Sequence, residues 1–547
     1  MGTDPLSRRL FMSRFSRRFG RILATVAVGT VALTGCASNG GSDEASASSS
    51  SEREVVHGVI GDQGDGGPPV KGGTLTFASL APVTNLDPTL TQATGPTGGT
   101  EMAAVYDVLM RYDIESEQFE PHLAESMEES DDRLTWTMTL REGVTFSDGT
   151  PLDAAAVVAS IDRYNTRRGA HSQLYQEIVT STTAADPTTV VFSLDRPWST
   201  FPALLSYGHG MVVAPSSQQG DTFTPIGAGP FTVVGLQPQQ ELQLKARPDY
   251  WGGEPNLDGL KFVAIAGDQP KIEALRTNGI NMAYLGNAEA VEAAMAEFPG
   301  YAEPVNLKLL GQINAAPGRP GEDPRVRQAI AFAVDPEVID QRVREGKGMP
   351  GTDMFQPWST WHGDVDGITP SPERATELLN EAKADGYDGK ITFLSVNNPD
   401  SQELALAVQA QLNAVGFDTA VEYASSSTDL VKRRFVDKDF DLSFGGFSMS
   451  DVDPEIRLYG ALHSASTNNI LAYNSPQMDE LLNEVLSAPD EETKRTAIGK
   501  VQELMNVDQP MPLWGAGINF VAWTPNVYGV TPLNDSIMLF DKAFLKN

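Results

Sequence analysis

The side chains able to do chemistry are few and scattered in this 547-residue chain. His57, His122, His171, His209, His362 and His463 stand alone, no two at metal-ligand spacing, so each reads as a core or surface histidine. No G-x-S-x-G elbow, S-x-x-K, H-E-x-x-H or G-x-x-x-x-G-K-[ST] occurs. Carboxylates are plentiful, and in so acidic a chain a pair of them is no sign of acid–base work. The cluster Gly227-Ala228-Gly229-Pro230 is too short to mark a phosphate loop. One thiol, Cys36, is present, so no disulfide can form within the chain. The chemistry expected is therefore binding, with no catalytic residue, metal or cofactor; a secreted hydrolase is the rival class.

Cys36 earns its interest from its setting. Arg8, Arg9, Arg14, Arg17, Arg18 and Arg21 precede the apolar run Ile22 to Leu33, which is short for a bilayer span and right for a signal peptide over residues 1–35. LTGC, Leu33 to Cys36, resembles a bacterial lipobox, in which the cysteine thiol carries a diacylglycerol. The protein is then expected outside the cytoplasm, anchored to the cell membrane through lipidated Cys36, with a second acyl chain making the anchor durable. SRRLFM, Ser7 to Met12, resembles a twin-arginine export motif.

Beyond the anchor, residues 36–71 are rich in Ser, Gly, Asp and Glu and read as a disordered tether, reaching about 30–35 Å. The formal charge is −32, and removing the leader's six arginines and Asp4 takes it to −37. Nucleic acid and anionic membrane surfaces are poor partners for such a surface.

The elements that position a site are legible in part. Leu134, Trp136, Met138 and Leu140 alternate with Thr135, Thr137, Thr139 and Arg141, the period of a half-buried strand; Asp148-Gly149 is a turn. Asp153 can cap a helix whose inner face carries Val157, Val158, Ile161 and Tyr164. After Asp323 the pattern alternates: a helix over Pro372 to Asp385 capped by Ser371, a strand over Lys390 to Val396, a helix over Ser401 to Val415, and strands over Phe417 to Tyr423 and Asp441 to Phe444. Helices over Gln477 to Leu486 and, capped by Asp490, over Glu491 to Val507 follow. Such alternation predicts a mostly parallel sheet.

LTWTMTLREGVTFSDGTPLDAAAVVASIDRY, Leu134 to Tyr164, resembles the signature region of the peptide/nickel class of extracytoplasmic solute-binding proteins, family 5, the receptors of ABC importers. Further landmarks follow in family order: GGTLTFA with NLDP, GAGPF with RPDYWGGEPNLDGLKF, DPRVRQAIAFAVDPEVI, and FDLSFGGFSMSDVDP. The resemblance implies an α/β, two-lobe periplasmic-binding-protein-like fold with an extra subdomain in the first lobe. Lobe I would span 72–309, with 514–547 returning to it, and lobe II 310–513. Hinge strands are expected near Leu309 to Asn314 and near Pro512 to Asn519, closing the lobes on ligand.

The resemblance also nominates ligand-binding residues. In peptide-binding relatives a G-W-x-x-D-x-x-[DE]-P loop offers an aromatic ring and an aspartate for the peptide ammonium. Here the loop is Gly446 to Pro454: Phe447 takes the tryptophan place and Ser450 the aspartate place. A serine cannot compensate a desolvated ammonium alone, so Asp451 is the candidate substitute. Asp453 resembles the family's structural acid. The candidates are Val83, Thr84, Asn85, Trp358, Gly446, Phe447, Ser448, Ser450, Asp451 and Trp514, with Trp361 in the same aromatic loop as Trp358. A peptide is expected to add as a strand along Gly445 to Ser448. The implied function is capture of a peptide or other small molecule, such as an oligosaccharide, opine-like conjugate or metal chelate, for a membrane permease. The protein is expected to act as a monomer.

Overall fold

In the computed structural model, residues 55–61 and 63–546 are described. The leader, Cys36 and the expected tether as far as Glu54 lie outside them. Among the described residues no helix is long and apolar enough to cross a membrane.

The largest sheet has twelve strands. From one edge run Phe231–Gln237, Glu241–Ala246, Gly259–Val263, Thr74–Ala78 and Met282–Leu285; next come two long strands, Leu513–Trp523 and Gly300–Ile313; then Leu442–Gly445, Lys390–Val396 and Asp418–Ala424. Thr74–Ala78 is parallel to both its neighbours, and so is Lys390–Val396, as alternation of helix and strand requires. The two long strands are antiparallel to each other and join these groups.

Helices after Asp323 begin in a repeated way. Asp323, Asp335, Ser371, Asn398 and Ser475 each accept a backbone N–H at a helix start, and each is followed by proline, whose missing N–H costs nothing there. Asp490 caps Glu491–Asp508 through the N–H of Thr493. Their inner faces build two cores. One sets Val326, Ile330, Leu378 and Val408 against Ile313, Phe393 and Leu442 of the sheet; the other gathers Leu458, Leu482, Val485, Ile498 and Val501.

A separate antiparallel sheet of four strands, Ala124–Glu129, Thr135–Leu140, Thr189–Leu194 and Val179–Asp186, makes the extra unit of the first lobe. Trp136, Met138 and Leu140 point to its buried side, against helix Ala154–Thr166, which Asp153 caps through the N–H of Ala156. The C-terminal segment returns to the same core: Phe540 meets Phe77 at 6.4 Å between ring centres.

The long strands hold their register from Gly300 opposite Ala522 to Val305 opposite Gly517, then slip, resuming at Leu309 opposite Gly515. At the break Leu307 has φ +50° and Asn306 pairs with Met449 instead. The irregularity thus lies at Asn306 to Lys308, just before the expected stretch Leu309 to Asn314; its partner falls inside the expected Pro512 to Asn519.

The expectation of a disordered tether as far as Lys71 is corrected. Gly58–Ile60 pairs antiparallel with Gly300 to Ala302, the Trp523 indole donates to Gln63 at 2.7 Å, and Val56 and Ile60 pack on the neighbouring core. Three residues are too few to show a period, and their partner strand is some 240 residues away, so nothing local announced them.

Candidate ligand cavity

A cavity of about 710 Å³ opens between the four-stranded sheet and the helical half of the chain. Met110, Tyr112, Phe119, Met127 and Trp136 form one wall; Trp358, Thr360, Trp361, Ser450, Asp451 and Lys494 form the other; Glu303 and Pro304, on a long strand just before its break, lie between. Val55 and His57 complete it, because the strand Gly58–Ile60 is fastened to that same long strand.

Asp451 joins three segments at the wall. Its Oδ1 accepts from Ser359 Oγ at 2.7 Å and Asn306 Nδ2 at 3.0 Å, and its Oδ2 accepts from the Thr360 N–H at 2.8 Å. The Trp361 indole donates to its carbonyl at 2.7 Å. Burial pushes its carboxyl above the ordinary range, against the pull of the Ser359 and Thr360 donors. The loop with Trp358 and Trp361 is thereby tied to the break in the long strand.

Ser450 is 4% exposed, and its hydroxyl has no partner among the described residues. The indole N–H groups of Trp136 and Trp358 are likewise buried and unpartnered. Buried donors are nearly always satisfied, so these three, drawn from both walls, are suited to a ligand's acceptors.

Behind the cavity lies a buried ionic cluster. Arg457 pairs with Asp535, donates to Gln92 at 2.8 Å and lies 6.0 Å from the centre of the Tyr207 ring. Glu303 accepts from the Asp535 N–H at 2.7 Å and Ser536 Oγ at 2.5 Å; burial and the Asp535 charge push its carboxyl up to about 8. Burial, then Asp535, also raises Asp453 well above its usual range. Asp453 sits at the start of helix Pro454–Leu462 without accepting a capping bond. Nearby, Lys494 pairs with Glu455 at 3.1 Å, and Thr200 donates to Glu455.

Three of the expected ligand residues, Trp358, Ser450 and Asp451, reach this cavity. The others lie elsewhere. The Val83 carbonyl accepts from Gln239, while Asn85 turns its side chain onto Thr84 and the Asp87 N–H. Gly446 is pressed on Lys308, where an added Cβ would stand 2.1 Å from the carbonyl oxygen. The Phe447 N–H donates to Leu307 and its ring joins the helical core; Ser448 makes the left-handed turn, φ +45°. Trp514 is 1% exposed, packed over Gly311. The Phe447 and Met449 N–H groups bond the long strand, so the expected added strand along Gly445 to Ser448 has only the opposite edge of this segment.

Tyr112, Phe119, Trp136, Glu303, Lys494 and His57 were not anticipated as lining. Trp136 alternates inward and so read as core. Glu303 and Lys308, charged residues inside the apolar run Tyr301 to Leu310, were the available signal.

The sequence model described as bacterial extracellular solute-binding proteins, family 5 middle, matches residues 118–469. The glutathione-binding protein GsiB of Salmonella paratyphi A is 27% identical over 444 residues, 78% of this chain and 86% of that one. Heme-binding protein A of Haemophilus influenzae is 27% identical over 473 residues, 78% and 84%. The oligopeptide-binding protein AppA of Bacillus subtilis, solved with a nonapeptide, superposes with TM-score 0.76 at 22% identity, covering 88% of this chain and all of that one. A two-lobe fold, a cavity between the halves and a family match across most of the chain agree: the protein belongs to family 5 of the bacterial extracellular solute-binding proteins, ligand-capturing receptors of ABC importers.

Proposed function

We propose that the receptor captures a short peptide with a free ammonium group, delivers it chemically unchanged to its permease, and works as a monomer tethered through lipidated Cys36. The observation that carries this reading is the cavity, whose volume of about 710 Å³ is typical of small-ligand sites, roughly 300–1,000 Å³. Its wall offers carboxylates for an ammonium and unpartnered neutral donors, at Ser450, Trp136 and Trp358, for peptide carbonyls. AppA, a structural relative, was solved with a nonapeptide. Lobe I, 72–309 with 514–547, and lobe II, 310–513, close on the ligand by bending at Asn306 to Lys308 and near Gly515.

Asp451 is the ammonium partner in this reading. Its Oδ2 accepts only the Thr360 N–H among the described residues, which leaves room for a second donor. Calorimetry tests the assignment. Asp451→Asn weakens a free-amine peptide by about 1.5–3 kcal/mol, and the N-acetylated peptide loses most of that dependence. Tight peptide binding indifferent to Asp451→Asn refutes it. A second reading, a non-peptide ligand with flat faces such as an oligosaccharide, opine-like conjugate or chelate, draws support from the three indoles in the wall, Trp136, Trp358 and Trp361.

A further inference from the structure

Charge is unevenly distributed in the cavity wall. Glu117, Asp451, Asp490 and Glu491 all reach it, beside Glu303, which burial keeps protonated at neutral pH. Against them the described lining residues set Lys494 and His57, and no arginine. Lys494 is already paired with Glu455 at 3.1 Å, and burial pushes His57 below its ordinary range, toward the neutral ring. A ligand carboxylate entering here loses its hydration and meets no free cation. A ligand ammonium or guanidinium meets several carboxylates and the aromatic lining that includes Trp358; Lys494 already lies 5.5 Å over Trp361.

Two further features bear on the site, the first on its occupancy and the second on the sign of its ligand. Ser450, 4% exposed and part of the wall, keeps a hydroxyl with no partner among the described residues, the mark of a site that expects a ligand. The chain as a whole carries −32, which draws cations toward a cleft and repels anions.

We propose that this cavity selects ligands of net positive charge, bearing ammonium or guanidinium groups on a partly apolar body, and rejects net-anionic ones. The inference rests on the receptor reading and deepens it. It separates this chain from its relative named for glutathione, a tripeptide with two carboxylates and one ammonium.

Titration calorimetry on the full mature chain tests it with two panels. One holds the tripeptides Lys-Leu-Lys, Ala-Leu-Ala and Glu-Leu-Glu with glutathione; the other holds spermidine and citrate. The basic member of a panel binds at least about tenfold more tightly than the acidic one, a difference of about 1.4 kcal/mol. The double variant Glu117→Gln, Asp490→Asn narrows that ratio about threefold or more; both positions are exposed, and asparagine still caps the helix. Spermidine binding over citrate while no peptide binds removes the peptide reading and leaves charge selection standing. Glu-Leu-Glu, glutathione or citrate binding as tightly as its basic counterpart overturns the inference, as does failure of every cationic ligand to bind.

Discussion

Arg457, in the helix Pro454–Leu462, pairs with Asp535, in the C-terminal segment, and both side chains are buried. The pair ties that helix to the C-terminal segment behind the cavity. A buried pair of this kind adds little over an apolar one, yet removing one partner strands the other charge. Arg457→Met therefore destabilises the protein by about 3–5 kcal/mol, and the double change Arg457→Met, Asp535→Leu recovers much of that loss. Urea unfolding checks it; equal stability of the single variant and the parent contradicts the assignment.

Glu303 gives the fold a pH dependence of defined sign. Its carboxyl titrates at about 8 in the folded protein, above the ordinary range, so the native state keeps a proton that the unfolded chain releases. Its contribution to stability is complete below the ordinary carboxyl range and is lost as pH rises toward about 8. Asp453, raised in the same direction, adds to this. Melting temperature then falls between about pH 5 and pH 7, and Glu303→Gln flattens the fall. Lys308, lowered to about 7 by burial, acts in the opposite sense, but only above that window. An unchanged slope in Glu303→Gln contradicts the placement of its proton.

The strand Gly58–Ile60 brings His57 and Val55 into the cavity wall. Deleting residues 55–60 opens one side, so affinity falls about tenfold or more while the cores, built from later residues, persist. Hydrogen exchange in this strand slows when ligand is added. Identical exchange with and without ligand shows that the strand takes no part.

Anchoring is tested apart from the ligand. Cys36→Ala releases the protein from the membrane and abolishes labelling by a fatty acid, because Cys36 is the chain's one thiol. Label retained by Cys36→Ala contradicts the lipobox reading.

Local features were legible in the sequence where short-range chemistry sets them. Ser371 and Asp490 cap the helices assigned to them, and Lys390–Val396 is the strand its period implied, because capping and amphipathic spacing act within a few residues. The break at Asn306 to Lys308 has no local signal because it depends on Met449, a partner more than a hundred residues away. The same distance explains the site. Trp136 and Trp358 face one cavity from opposite halves of the chain, while Trp514, expected to line the site with Trp358, fills a slot over Gly311 that no local pattern records. Asp451 is legible as the candidate substitute for the ammonium partner, but Ser359, Asn306 and Thr360, which hold it, come from other segments.

Native mass spectrometry of gently purified mature protein, followed by release and sequencing of whatever it retains, tests the central claim most directly. The account predicts one small, unmodified peptide per chain, with a free amino terminus and net positive charge. A net-anionic ligand, or a bound compound that the purified protein converts covalently, contradicts it.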